Sequence, residues 1–84
     1  MSSQQKNWTI YMLRCKDGSL YTGITTDLDR RVKEHVAGTG AKYTRAKGPC
    51  VLVWSQNGLT ETQAKQDEYR IKQLRKFEKE QMIN

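Results

Sequence analysis

Trp8-Thr9-Ile10-Tyr11-Met12-Leu13-Arg14-Cys15-Lys16-Asp17-Gly18-Ser19-Leu20-Tyr21-Thr22-Gly23-Ile24-Thr25 is the stretch on which the reading of the fold turns. Two runs rich in β-branched and aromatic residues flank a Lys-Asp-Gly turn, the pattern of a β-hairpin. The turn's length decides which side chains share a face. A two-residue Asp17-Gly18 loop would put Tyr11 and Tyr21 on opposite faces of the pleat. A three-residue Lys16-Asp17-Gly18 loop, with Gly18 in the left-handed region, sets Tyr11 opposite Gly23 and Tyr21 opposite Leu13 on one face. The other face then collects Ile10, Met12, Leu20 and Ile24, a consistent apolar surface, so the three-residue register is expected.

Beyond the hairpin, Thr26 or Asp27 is a ready N-cap and Gly38 a left-handed stop, which predicts a helix between them. Thr39 to Pro49 reads as a basic loop carrying Lys42, Arg45 and Lys47. A third strand is expected over Val51 to Gln56, ending at Asn57-Gly58. Thr60-Glu61-Thr62-Gln63 has capping-box spacing and opens a second helix to about Leu74. The tail from Arg75 to Asn84 is expected to be helical, although no N-cap residue marks a fresh start, and Met1 to Asn7 is polar and expected to be disordered. The order β-β-α-β-α-α predicts a small α/β (α+β) sandwich, a three-stranded antiparallel sheet flanked by two to three helices.

The chain has 84 residues, enough for one domain over 1–84. A chain of that size buries only about 60–65% of its unfolded surface, so the core is small. With 15 Lys+Arg against 9 Asp+Glu the formal charge is +6, which points to a polyanionic partner. Membrane insertion is set aside, since the longest apolar run, Val51 to Trp54, falls far short of the roughly 20 residues a spanning helix needs. No apolar h-region follows Met1. Cys15 and Cys50 form no C-x-x-C pair, and the single histidine does not complete a zinc site with them. Both are expected as free thiols of a cytoplasmic protein.

At about 100° per residue, Leu28, Val32 and Val36 form one apolar stripe on the first helix. Arg31 and His35 border it, whereas Arg30, Lys33 and Glu34 point away. An arginine at the rim of a core, one turn from a histidine, suits bidentate capture of a phosphate oxygen. The same placement also suits an arginine whose alkyl stem merely covers apolar surface. On the second helix Asp67 and Glu68 both lie beside the apolar face set by Ala64 and Ile71. A carboxylate there calls for a metal ion or a salt bridge to Arg31, and periodicity does not choose between the two acids. Gly23, opposite Tyr11, leaves room for a substrate near the backbone or marks a bulge. Lys42 and Arg45 offer phosphate contacts, and Tyr43 or Trp54 can stack on bases or simply pack.

Thr9-Ile10-Tyr11, Tyr21-Thr22-Gly23 and the following run Asp27-Leu28-Asp29-Arg30-Arg31-Val32-Lys33-Glu34-His35 together resemble the GIY-YIG nuclease family. The likeness spans Thr9 to about Leu74 and is nearest to the small bacterial stand-alone members, which hold little beyond the catalytic module. By motif position the resemblance implies a site of Tyr11, Tyr21, Arg31, His35 and Glu68, and it selects Glu68 over Asp67 as the ligand of Mg²⁺ or Mn²⁺. Gly23, Lys42, Tyr43 and Arg45 are the matching candidates for substrate binding. Thr9 stands where the family usually has its first glycine, and Thr22 where it has isoleucine or valine. An asparagine that several members carry beyond the glutamate has no clear counterpart. The implied activity is metal-dependent endonucleolytic hydrolysis of DNA phosphodiesters, structure-selective and tied to repair or recombination. The alternative is a non-catalytic nucleic-acid-binding module that retains the nuclease fold. DNA is expected ahead of RNA as the partner, with a monomeric state and a possible protein partner that supplies specificity.

Overall fold

The computed structural model describes residues 5–84, so the expectation for residues 1–4 lies outside the described part. Gln5 to Asn7 are exposed and irregular. The elements run β1 (Trp8–Cys15), β2 (Leu20–Thr25), α1 (Leu28–Val36), α2 (Lys42–Lys47), β3 (Cys50–Leu59), α3 (Glu61–Lys72) and α4 (Lys76–Ile83). The sheet is antiparallel with order β2-β1-β3, so β1 is central.

Local chemistry builds the hairpin as read. Tyr11 pairs with Gly23 and Leu13 with Tyr21, and Gly18 takes φ +88°. The turn closes through Gly18 N–H to the Cys15 carbonyl at 2.9 Å and Ser19 N–H to Asp17 Oδ1 at 3.0 Å. A left-handed third loop residue is the condition for this turn, and glycine meets it without a Cβ penalty.

Because β1 is central it is buried on both faces, and successive residues serve different cores. Ile10 and Met12 pack with Ala64 and Ile71 of α3, with Leu59, and with the partly buried Trp8, Trp54, Met82 and Ile83. Tyr11, Leu13 and Cys15 pack with Cys50 on the opposite face, under Leu28 and Val32 of α1. The sheet is therefore covered on both sides. Cys15 and Cys50 are free thiols that face each other across the β1–β3 ladder, and burial above all pushes the Cys50 thiol upward. Trp54 is partly buried and packs against the cluster of Ile10 and Met12.

Caps mark the helix starts where the sequence has them. Asp27 Oδ1 accepts from Arg30 N–H at 3.1 Å at the head of α1. Thr60 and Gln63 bond reciprocally at the head of α3, at 3.1 and 2.9 Å. Four helices are found where two to three were expected, because part of the expected basic loop folds as α2. Strand β3 also runs through Asn57-Gly58 instead of ending there. Gly58 adopts φ +75° within the strand, and the shifted register carries Leu59 opposite Trp8. The second helix stops at Lys72 and a fresh helix begins after Arg75, whose N–H is capped by the Glu78 carboxylate at 2.8 Å. An Arg14–Glu80 ion pair, with Nη1 to Oε2 at 2.7 Å, holds α4 against the hairpin.

Candidate active site

Tyr11 is the deepest member of the site, 1% exposed at the centre of the sheet. Its ring passes over Gly23, which explains the glycine. A Cβ there would stand 2.6 Å from Tyr11 Oη, 2.8 Å from Cζ and 3.1 Å from Tyr21 Cε2. The space opposite Tyr11 is thus filled by the tyrosine's own phenol, where a substrate was one expectation. Gly23→Ala is expected to overpack this face at about 1–3 kcal/mol, lowering the melting temperature by roughly 4–24 °C in a domain this small. Thermal unfolding followed by circular dichroism checks it. An unchanged midpoint would mean that both rings can move aside.

The Tyr11 phenol meets His35. Oη lies 3.0 Å from Nε2, in a buried bond between the central strand and α1. His35 is 2% exposed, and its Nδ1 sits 2.6 Å from Thr44 Oγ1 of α2. The Thr44 hydroxyl in turn donates to the Ala41 carbonyl at 2.9 Å. Tyr21 completes an aromatic cluster, with its centroid 6.3 Å from that of Tyr11 and 5.3 Å from that of His35. Tyr43 stacks on the outer side of Tyr21, at 5.7 Å and 29° between planes. Gly40 presses against the imidazole so closely that a Cβ would lie 2.9 Å from both Cγ and Cε1.

The buried face of α1 is turned further toward His35 than its apolar spacing implied, leaving Val36 62% exposed. The reason is the hydrogen bonding that His35 finds on both ring nitrogens, which Val36 has no means to match. Arg31 is half-buried beside the Tyr11 phenol. Its guanidinium is held protonated by the Glu34 carboxylate first, at 2.8 Å, and then by the phenol. Glu34, expected to point away, folds back onto Arg31.

Burial pushes the Tyr11 phenol up to about 12, with the Tyr21 phenol adding to the rise. Arg31 pulls it down and the Glu68 carboxylate pushes it up, so both charges act on the same oxygen. Burial first and Arg31 second depress His35, with Glu34 in partial opposition. Glu68 comes from α3, which packs across β1 and β2. It pairs with Lys72 at 3.2 Å and not with Arg31. Asp67 pairs with Arg70 at 3.5 Å.

Lys42 and Arg45 are exposed on α2, the element that also carries Thr44 under His35 and Tyr43 against Tyr21. Lys47 is engaged elsewhere, in an ion pair with Asp17 at 2.9 Å. An open cleft of about 520 Å³ beside that pair, lined by Lys16, Asp17, Ala46, Lys47 and Gly48, contains none of the aromatic or histidine residues above. Thr44 and Gly40 were missed in the sequence. A threonine and a glycine in a basic segment carry no signal without the fold.

The family model for the GIY-YIG catalytic domain matches residues 7–81. The chain belongs to the GIY-YIG family. Among its relatives is UPF0213 protein BH0048 of Halalkalibacterium halodurans, 49% identical over 93% of this chain and 83% of that protein. A UPF0213 protein of Halobacterium salinarum is 48% identical over 88% and 96%. The solution NMR structure of the UPF0213 protein BH0048 superimposes with a TM-score of 0.59 over 90% of this chain and 81% of that one. That of protein EF2693 from E. faecalis gives 0.60 at 38% identity over 96% and 85%. The α+β GIY-YIG fold is thereby established, and with it membership of a nuclease family. No helix among the described residues is long and apolar enough to cross a membrane.

The divalent metal that the family implies can be tested against the donors present. Among the described residues no cluster of three or more His, Cys, Asp or Glu is found. A half-buried carboxylate, Glu68, whose ion-pair partner among the described residues is the exposed Lys72, fits Mg²⁺ or Mn²⁺ held by one protein oxygen plus water and substrate phosphate. It does not fit a closed site of several protein ligands.

Proposed function

We propose that this protein is a metal-dependent endonuclease that hydrolyses DNA phosphodiester bonds, with selectivity for branched or otherwise distorted structures of the kind met in repair and recombination. The buried 3.0 Å contact between Tyr11 Oη and His35 Nε2 carries the reading, because it couples a phenol to a base at a position where Arg31 and Glu68 also act.

The step follows from these residues. A phenol pushed up to about 12 is neutral near pH 7 and is a poor base alone. It accepts a proton from the attacking water only as it passes its own proton to His35 Nε2. The water oxygen then bonds to phosphorus while the bond to the leaving oxygen breaks, and His35 is left as imidazolium. Arg31 holds the negative charge that grows on the phosphoryl oxygens, a fixed donor in a partly desolvated site. Glu68 would hold the metal, which supplies polarisation of the scissile phosphate and stabilisation of the leaving oxygen. Tyr21 orients the Tyr11 and His35 rings, while Lys42, Arg45 and the outer face of Tyr43 receive the nucleic acid.

Two expectations accompany this reading. Neutral His35 is the competent form, and burial and Arg31 disfavour its protonation, so cleavage should fall with decreasing pH through a value below the ordinary 6.5. A pH profile of single-turnover cleavage checks this, and an acid limb above 6.5 would contradict it. Affinity for DNA should drop with salt at a log-log slope of about −0.9 per phosphate neutralised, measured by fluorescence anisotropy. A flat response would remove phosphate contact as the source of binding. The function itself is tested by incubating the protein with linear, nicked, flapped and branched DNA in Mg²⁺ or Mn²⁺. Binding without cleavage across that set would leave the non-catalytic module as the reading.

A further inference from the structure

Thr44 has one hydroxyl proton and two neighbours competing for it. The Ala41 carbonyl is only an acceptor, and Thr44 Oγ1 donates to it at 2.9 Å. Toward His35 Nδ1, 2.6 Å away, the hydroxyl oxygen is left to accept, so the proton in that contact belongs to Nδ1. In a neutral imidazole the other nitrogen then has a free lone pair. That nitrogen, Nε2, is the one facing Tyr11 Oη at 3.0 Å. Every donor in the chain therefore points the same way, from Tyr11 to His35, from His35 to Thr44 and from Thr44 to the backbone of α2.

We propose that Thr44 is a positioning residue that fixes His35 in the Nδ1–H tautomer, so that Nε2 faces Tyr11 as a proton acceptor. The opposite arrangement, with Thr44 donating to Nδ1, puts a proton on Nε2 and closes the relay. Gly40 assists by pressing on the ring, since a side chain at that position would lie 2.9 Å from Cγ and Cε1 and push the imidazole off its partners. The burial of Thr44, 1% exposed, keeps water from taking over as the acceptor for Nδ1–H. An orienting partner on the far nitrogen of a metal-ligating imidazole is worth about 10–100-fold, and the same scale is expected here. This inference rests on the relay proposed above for catalysis, but the tautomer can be read independently of it.

His35 is the single histidine of the chain, so its two ring nitrogens give unambiguous ¹⁵N signals. Wild-type protein at neutral pH should show Nδ1 protonated and Nε2 bare. Thr44→Ser should keep that pattern, and Thr44→Val should shift population to the Nε2–H form. In cleavage, Thr44→Val should lower kcat by about 10–100-fold with little change in KM, and Thr44→Ser should restore most of it. A wild-type spectrum with Nε2 protonated overturns the proposal, and so does an unchanged tautomer in folded Thr44→Val. Should Thr44→Val not fold, the wild-type and Thr44→Ser spectra decide alone. The two readings separate cleanly. An Nδ1–H tautomer lost in Thr44→Val supports the inference even if no DNA is cut, whereas cleavage by a protein whose Nε2 is protonated overturns it and leaves the nuclease assignment in place.

Discussion

Glu68→Ala should abolish metal-stimulated cleavage, with a loss on the order of 10²-fold or more while DNA binding persists. The size follows from what is removed. Hard divalent cations need oxygen ligands, and among the described residues Glu68 belongs to no cluster of three or more potential ligands, while Asp67 pairs with Arg70. The fold should survive, since Lys72 is half exposed and its ammonium can return to water once the carboxylate is gone. The lost ion pair is of the i,i+4 helical kind, worth about 0.3–0.5 kcal/mol, and alanine is itself a good helix former. Cleavage titrated with Mg²⁺ and Mn²⁺, alongside a thermal melt, separates the two effects. A variant that cleaves as well as wild type would mean the metal is held elsewhere, with Asp67 the first alternative.

Tyr11→Phe should be the cleanest loss of chemistry, about 10²–10⁴-fold in rate, the range for a positioned proton-transfer group. Phenylalanine keeps the ring that packs against Leu13 and Cys15 and over Gly23. Only the hydroxyl goes, and with it the donor to His35 Nε2. Stability should fall by about 1–3 kcal/mol, because the buried His35 Nε2 loses its partner, too little to unfold a domain of ordinary stability. Equal cleavage by this variant would assign the base to another group.

Much of this architecture is legible in the chain because its cues are local. The Lys16-Asp17-Gly18 turn carries its own register, Asp27 and Thr60-Gln63 carry their own caps, and those three features bring Tyr11, Tyr21 and α1 into place. The resemblance did what periodicity had no power to do in ranking Glu68 above Asp67. The remainder depends on contacts between distant residues. Helix α2 is six residues long with no side-chain cap, and what fastens it is Thr44 under His35 and Tyr43 on Tyr21. Gly23 and Gly40 look alike in sequence to any turn glycine, yet each is required by a ring lying on its α-carbon. Val36 completes the apolar stripe of α1 on paper but is exposed, because the hydrogen bonds of His35 set the helix rotation instead.

The central claim is that the Tyr11–His35 pair performs catalysis and is not merely a buried structural contact. Single-turnover cleavage of a branched DNA in Mg²⁺, with wild-type and Tyr11→Phe proteins at concentrations where anisotropy shows both fully bound, tests it most directly. Cutting by wild type and a loss of at least about 10²-fold in Tyr11→Phe at equal binding are expected. Wild-type protein that binds the DNA fully and leaves it intact, or a Tyr11→Phe variant that cuts at the wild-type rate, would contradict it.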